Sequence, residues 1–98
     1  MNREEVIAML SKNRHLLQAY GVRGIRLFGS VARGEAGVDS DVDLLVEFEP
    51  SAHVGMFEFS RLRRELSRLL GCKVDLATPD ALHKMMKKDI LREAIRAA

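Results

Sequence analysis

The stretch Leu27-Phe-Gly-Ser-Val-Ala-Arg-Gly-Glu-Ala-Gly-Val-Asp-Ser-Asp-Val-Asp-Leu-Leu-Val46 constrains this chain more than any other. An apolar run ends in Gly29 and Ser30, a small glycine-punctuated connection follows, and a second apolar run carries Asp41 and Asp43 two residues apart. Val22 to Phe28 reads as a strand with Ile25 and Leu27 on one face and Arg26 and Phe28 on the other. Val42 to Phe48 reads as another, with Val42, Leu44, Val46 and Phe48 on one face and Asp43, Leu45 and Glu47 on the other.

The remaining chain alternates helix and strand around this pair. Asn2 followed by Glu5 resembles a capping box, and Val6, Met9, Leu10, Asn13, Leu16, Leu17 and Tyr20 recur at spacings of three and four. Residues 3–19 are therefore expected to form an amphipathic helix closed near Gly21. Ser30 is a good N-cap for a turn of helix over 30–34, and 35–40 is a loop. Phe59, Leu62, Leu66, Leu69 and Leu70 restore helical spacing up to Gly71, with Arg61, Arg64 and Arg68 on another face. Residues 73–77 read as a short strand, and Thr78-Pro79 opens a helical pattern through Leu82, Met85, Met86, Ile90, Leu91, Ala94 and Ile95, as one broken helix or two short ones. For the last residues, helix and edge strand both remain open. The expected fold is α+β, a small mixed sheet flanked by helices in the order α-β-α-β-α-β-α.

At 98 residues and 47% hydrophobic, the sequence suits one domain over 1–98 with a modest core. It lacks both a membrane-length apolar run and a signal-peptide pattern, so a cytoplasmic location without membrane attachment is expected. Cys72 is the only cysteine, and His15, His53 and His83 are scattered, which excludes an internal disulfide and a zinc cluster. Residues 1–50 carry 6 basic and 8 acidic side chains, and residues 51–98 carry 10 and 6. That asymmetry suits a site binding cations together with a polyanion.

The chemistry follows from the acids. Residues i and i+2 of a strand share a face about 6.6 Å apart, so Asp41 and Asp43 should converge on one spot. Two ionised carboxylates at one spot call for a cation, and hard oxygen ligands favour Mg2+ or Mn2+. Magnesium held by few carboxylates completes its shell with water and substrate phosphates, and Gly29, Ser30 and the following amides offer phosphate contacts. A metal–nucleotide is the expected ligand. Asp75, flanked by apolar residues in its strand, would join the pair if that strand neighbours the strand of Asp43, giving a two-metal site. P-loop, dinucleotide-fold and GxSxG patterns are absent.

Gly29-Ser-Val-Ala-Arg-Gly34 followed by Ser40-Asp-Val-Asp-Leu44 resembles the GSxARG…SDxDLxV signature of minimal nucleotidyltransferases (MNT) in the DNA polymerase β-like superfamily. Val74-Asp-Leu76 matches the position of that family's third acid, and Ile90-Leu-Arg-Glu-Ala-Ile95 resembles its C-terminal pattern. The resemblance implies that Asp41, Asp43 and Asp75 are catalytic metal ligands and that Gly29 and Ser30 hold nucleotide phosphates. Arg33 and Ser40 are the further nucleotide contacts it implies. It also implies an antitoxin that transfers AMP from ATP to a tyrosine hydroxyl of a HEPN-type toxin. Two alternatives stand beside it: a non-catalytic antitoxin acting by complex formation, and transfer to a small molecule or an RNA end. Self-association and nucleic-acid binding by the basic second half are left open.

Overall fold

A computed structural model describes residues 2–34, 41–79 and 95–97. Ser40, the loop over 35–40, His83 and the helical pattern over 80–94 lie outside the described residues. In chain order the elements are α1 (Arg3–Lys12), α2 (Arg14–Ala19), β1 (Val22–Phe28), α3 (Gly29–Ala32), β2 (Val42–Phe48), α4 (Met56–Leu70), β3 (Val74–Ala77) and β4 (Ile95–Arg96). The strands form one mixed sheet in the order β3-β2-β1-β4, with β2 and β3 parallel and the other two pairs antiparallel. The expected α+β class therefore holds, and β1 and β2 coincide with the predicted spans.

The helix expected over 3–19 divides at Asn13, and the cause is local. The Asn13 side-chain amide donates to the Met9 carbonyl (2.8 Å), the acceptor that its own backbone N–H would take in a continuous helix. That N–H turns to Leu10 instead (3.2 Å), and the chain restarts as α2. At the other end, Asn2 Oδ1 accepts from the Glu5 N–H (2.8 Å), as the cap signal predicts. Residues 95–96 form an edge strand beside β1, with Ile95 opposite Leu27.

One face of the sheet carries the core. Ile25, Leu27, Val42, Leu44, Val46 and Val74 are buried there with Val6 and Leu10 of α1 and Leu62, Leu66 and Leu70 of α4. A bulge between Val22 and Gly24 inserts one residue into β1 and so returns Val22 to the buried face with Ile25. Leu45 is also fully buried, although alternation directs it to the opposite face, so that face is not simply bathed in solvent. Among the described residues, no helix is long and apolar enough to cross a membrane.

α4 starts three residues before its first predicted apolar position, because the Glu58 carboxylate accepts from the Gly55 N–H (3.1 Å) and caps the first turn. It stops at Gly71, whose φ of 70° is open to glycine at little cost. Leu66 is wholly buried at the centre of the helix's core face. Leu66→Ala should cost about 3 kcal/mol, and thermal denaturation followed by circular dichroism should show a midpoint lowered by roughly 12 °C or more.

Candidate functional site

The ends of β1, β2 and β3 bring the candidate residues together. β3 is tied in place at its start, where Ser67 Oγ accepts from the Val74 N–H (3.1 Å) and the Lys73 carbonyl accepts from the Val42 N–H (3.0 Å). These bonds set the register in which Asp43 lies opposite Asp75 in β3 and opposite Phe28 in β1. All three point to the sheet face away from the core. The juxtaposition of Asp43 and Asp75, conditional in the sequence, is thus realised.

At the end of β1, Gly29 adopts φ of 76° and turns the chain at once into α3, which packs against both β1 and β2. The cap of this short helix is Phe28 in extended conformation, with no side-chain cap bond, so the N-cap expected at Ser30 lies two residues earlier. The cause is Gly29, whose left-handed backbone makes the turn that a capping side chain would otherwise support. A Cβ on Gly29 would collide with Asp43 Oδ2 and stand 3.1 Å from Asp43 Cγ. The glycine is therefore needed for space as well as for the turn. Its proximity to Asp43 is not legible in the sequence, because it depends on β1 and β2 being antiparallel in this register.

Electrostatics mark Asp43 as the group under strain. Burial raises its pKa first, followed by the charge of Asp75, a hydrogen bond with Asp75 and the charge of Asp41, while Arg33 pulls the other way. Carboxylates crowded in this way repel one another unless a cation lies between them. Because the folded pKa is raised, Asp43 contributes most to stability when protonated; the contribution fades as pH climbs from the ordinary aspartate range through the raised value. In chelator-treated protein, Asp43→Asn should accordingly raise the thermal midpoint by a few degrees at pH 7, and the gain should vanish near pH 4. Melting curves across pH measure it.

Asp41 precedes β2 and is half-exposed, and its Oδ2 lies 3.7 Å from Lys73 Nζ. This differs from a simple convergence of Asp41 and Asp43. Among the described residues, no three acidic, histidine or cysteine side chains are already gathered as a metal-holding group. The donor set nevertheless fits a hard divalent cation. Asp43 and Asp75 lie in register on neighbouring strands, Asp41 is close enough for its charge to raise the pKa of Asp43, and a cation among them would offset the mutual repulsion of the carboxylates.

His15, His53 and Cys72 are ordinary surface or packing residues. His15 and His53 are exposed. Cys72 is a free thiol packed at the edge of the core, and burial raises its pKa, which leaves it protonated and poorly nucleophilic. Sequence reasoning missed Lys73. Its signal was available: in β-type alternation residue 73 shares the face of residue 75.

Residues 10–97 match the family model described as a nucleotidyltransferase domain. The protein adenylyltransferase MntA of Thermococcus cleftensis is 42% identical over 95 residues, covering 94% of this chain and 92% of that protein. A solved structure provisionally described as a minimal nucleotidyltransferase superposes with a TM-score of 0.81 at 40% identity, covering 97% of this chain and 95% of the other. An MNT antitoxin solved in complex with the tri-AMPylated HEPN toxin of Shewanella oneidensis superposes with a TM-score of 0.68, covering 95% of this chain and 71% of that chain. At 18% identity that last likeness is one of fold.

Proposed function

The chain belongs to the minimal nucleotidyltransferase family, and we propose that it is a metal-dependent protein adenylyltransferase that moves AMP from ATP to a tyrosine hydroxyl of a HEPN-type toxin, acting as that toxin's antitoxin. The observation that carries the reading is the in-register pair of Asp43 and Asp75, with Gly29 packed against Asp43 at the end of β1. The MntA relative is named a protein adenylyltransferase, and the Shewanella MNT chain was captured with an AMPylated HEPN toxin. Both support an acceptor of this kind.

Asp41, Asp43 and Asp75 would hold Mg2+ or Mn2+. Bound there, the metal would supply charge neutralisation on the nucleotide's phosphates and acidify the attacking hydroxyl. Gly29 leaves the backbone after β1 open to a phosphate, with Ser30 next in the turn and Arg33 and Ser40 as further nucleotide contacts. Asp75, on the outermost of the three strands, would take the proton of the tyrosine hydroxyl. The tyrosine oxygen forms its bond to the α-phosphorus as the bond to the bridging oxygen breaks, and pyrophosphate leaves. As a single domain over 1–98 acting on ATP and an internal toxin, the chain would work in the cytoplasm. With ATP labelled at the α-phosphate, magnesium and the HEPN toxin, label should pass to the toxin; with label at the γ-phosphate it should not. Transfer of neither label would overturn the reading.

One observation favours a second reading, in which the chain inhibits the toxin by binding alone. Phe57 is 86% exposed, and Phe57, Arg61, Arg64 and Arg68 recur at spacings of three and four along α4, opposite the buried stripe of Leu62, Leu66 and Leu70. Met56 is 84% exposed and lines an apolar groove with Phe48, Val54, Phe59 and Leu76. An exposed aromatic ring beside arginines is the composition of a protein-binding hot spot. The stripe suits either reading, since catalysis on a partner also requires docking. If cells carrying Asp41→Asn/Asp43→Asn stayed protected from the toxin, binding alone would account for the antitoxin effect.

A further inference from the structure

We propose that Lys73 is a positioning residue: it holds Asp41 as a counter-ion in the nucleotide-free protein and swings its ammonium toward the nucleotide's phosphates when Asp41 turns to the metal. This rests on the nucleotidyltransferase reading above. Three observations carry it.

The first is geometric. Lys73 Nζ lies 3.7 Å from Asp41 Oδ2, while Asp43 lies in register with Asp75 on the neighbouring strand. The three acids are thus divided between two partnerships, which explains why no three-acid group is preassembled among the described residues. Completing the triad requires that Asp41 leave Lys73.

The second concerns where Lys73 is anchored. Its carbonyl accepts from the Val42 N–H (3.0 Å), and the next residue's N–H donates to Ser67 Oγ (3.1 Å), so the backbone is fixed beside β2. Its position two residues before Asp75 gives it the same face of the sheet. Its side chain, by contrast, is 68% exposed. A flexible four-carbon stem on a fixed base can swing its charge from Asp41 to a neighbouring anion without moving the strand.

The third is energetic. An exposed ion pair at this distance contributes little, so a divalent cation outcompetes the ammonium for Asp41. Once released, the ammonium stands beside the place where the triphosphate's negative charge would gather, and a lysine serves there as a point charge for phosphate. One side chain therefore disfavours metal binding alone and favours metal with nucleotide.

The test uses Lys73→Met and Lys73→Arg in the full chain, with circular dichroism to establish folding. Free Mn2+ is followed by electron paramagnetic resonance during titration with Mn2+ alone, and Mg2+ with a non-hydrolysable ATP analogue is followed by calorimetry. Lys73→Met should bind Mn2+ about three- to fivefold tighter than the parent chain. It should bind the magnesium–nucleotide about tenfold more weakly. Lys73→Arg should stay within about threefold of the parent for the nucleotide. A surface lysine with a merely structural role would change neither affinity. Unchanged or weakened Mn2+ binding in Lys73→Met, or unchanged nucleotide binding, overturns the proposal while the parent chain's own binding leaves the wider reading standing. If the parent chain binds neither Mn2+ nor the magnesium–nucleotide, the nucleotidyltransferase reading fails and this proposal fails with it.

Discussion

Asp41→Asn/Asp43→Asn should lower AMP transfer by on the order of 10³-fold or more, and the protein should remain folded. Asparagine matches aspartate in size but carries no charge, so the substitution removes cation affinity while leaving packing nearly unchanged. Asp43 is the more sensitive of the two. It lies between Phe28 and Asp75 on one face of the sheet, and its pKa is raised by burial and by both neighbouring acids. Removing its charge should relieve the apo protein and disable the loaded one. A lost activity accompanied by a retained or raised thermal midpoint is therefore the expected signature, read from a transfer assay and a melting curve on the same sample. Asp75→Asn should fall in the same class, because its carboxyl is the in-register partner of Asp43.

Gly29→Ala should be nearly as damaging to activity and, unlike the acid substitutions, should also destabilise the fold. Two separate costs combine. Alanine at φ of 76° costs roughly 1–2 kcal/mol. The new methyl would meet the Asp43 carboxylate, which has to move aside. A displacement of about 1 Å at a catalytic group can reduce a rate by about 10²-fold. The expected outcome is a thermal midpoint lowered by roughly 5–10 °C and AMP transfer reduced by about 10²-fold. Reading both at a temperature well below the midpoint separates the two effects. Normal transfer in a folded Gly29→Ala chain would mean that the contact between Gly29 and Asp43 does not matter to the site.

These effects mark the boundary of what the sequence could tell. β1 and β2 were legible to the residue because one face of each is apolar and their polar residues fall on alternate positions. The grouping of Asp43 with Asp75 was legible only as a condition, since the pairing of strands separated by α4 is not written in local periodicity. The break at Asn13 follows from a side-chain bond to Met9 that competes with the helix, and a pattern of apolar spacing cannot register it. The same holds for Val22, which falls on the buried face only because a bulge adds one residue to β1. Gly29 is by type a residue that permits a tight turn. Its second role, leaving room for Asp43, is a contact between strands. Lys73 was passed over because it begins a strand in which Asp75 already drew the chemical interest, although alternation alone placed the two on one face.

The most direct measurement of the account is the intact mass of a HEPN toxin after co-expression with this chain. The reading predicts a toxin heavier by one or more adenylyl groups, with the added mass on a tyrosine, and an unmodified toxin when the co-expressed chain carries Asp41→Asn/Asp43→Asn. A toxin of unchanged mass that is nevertheless bound and silenced by the parent chain would contradict it.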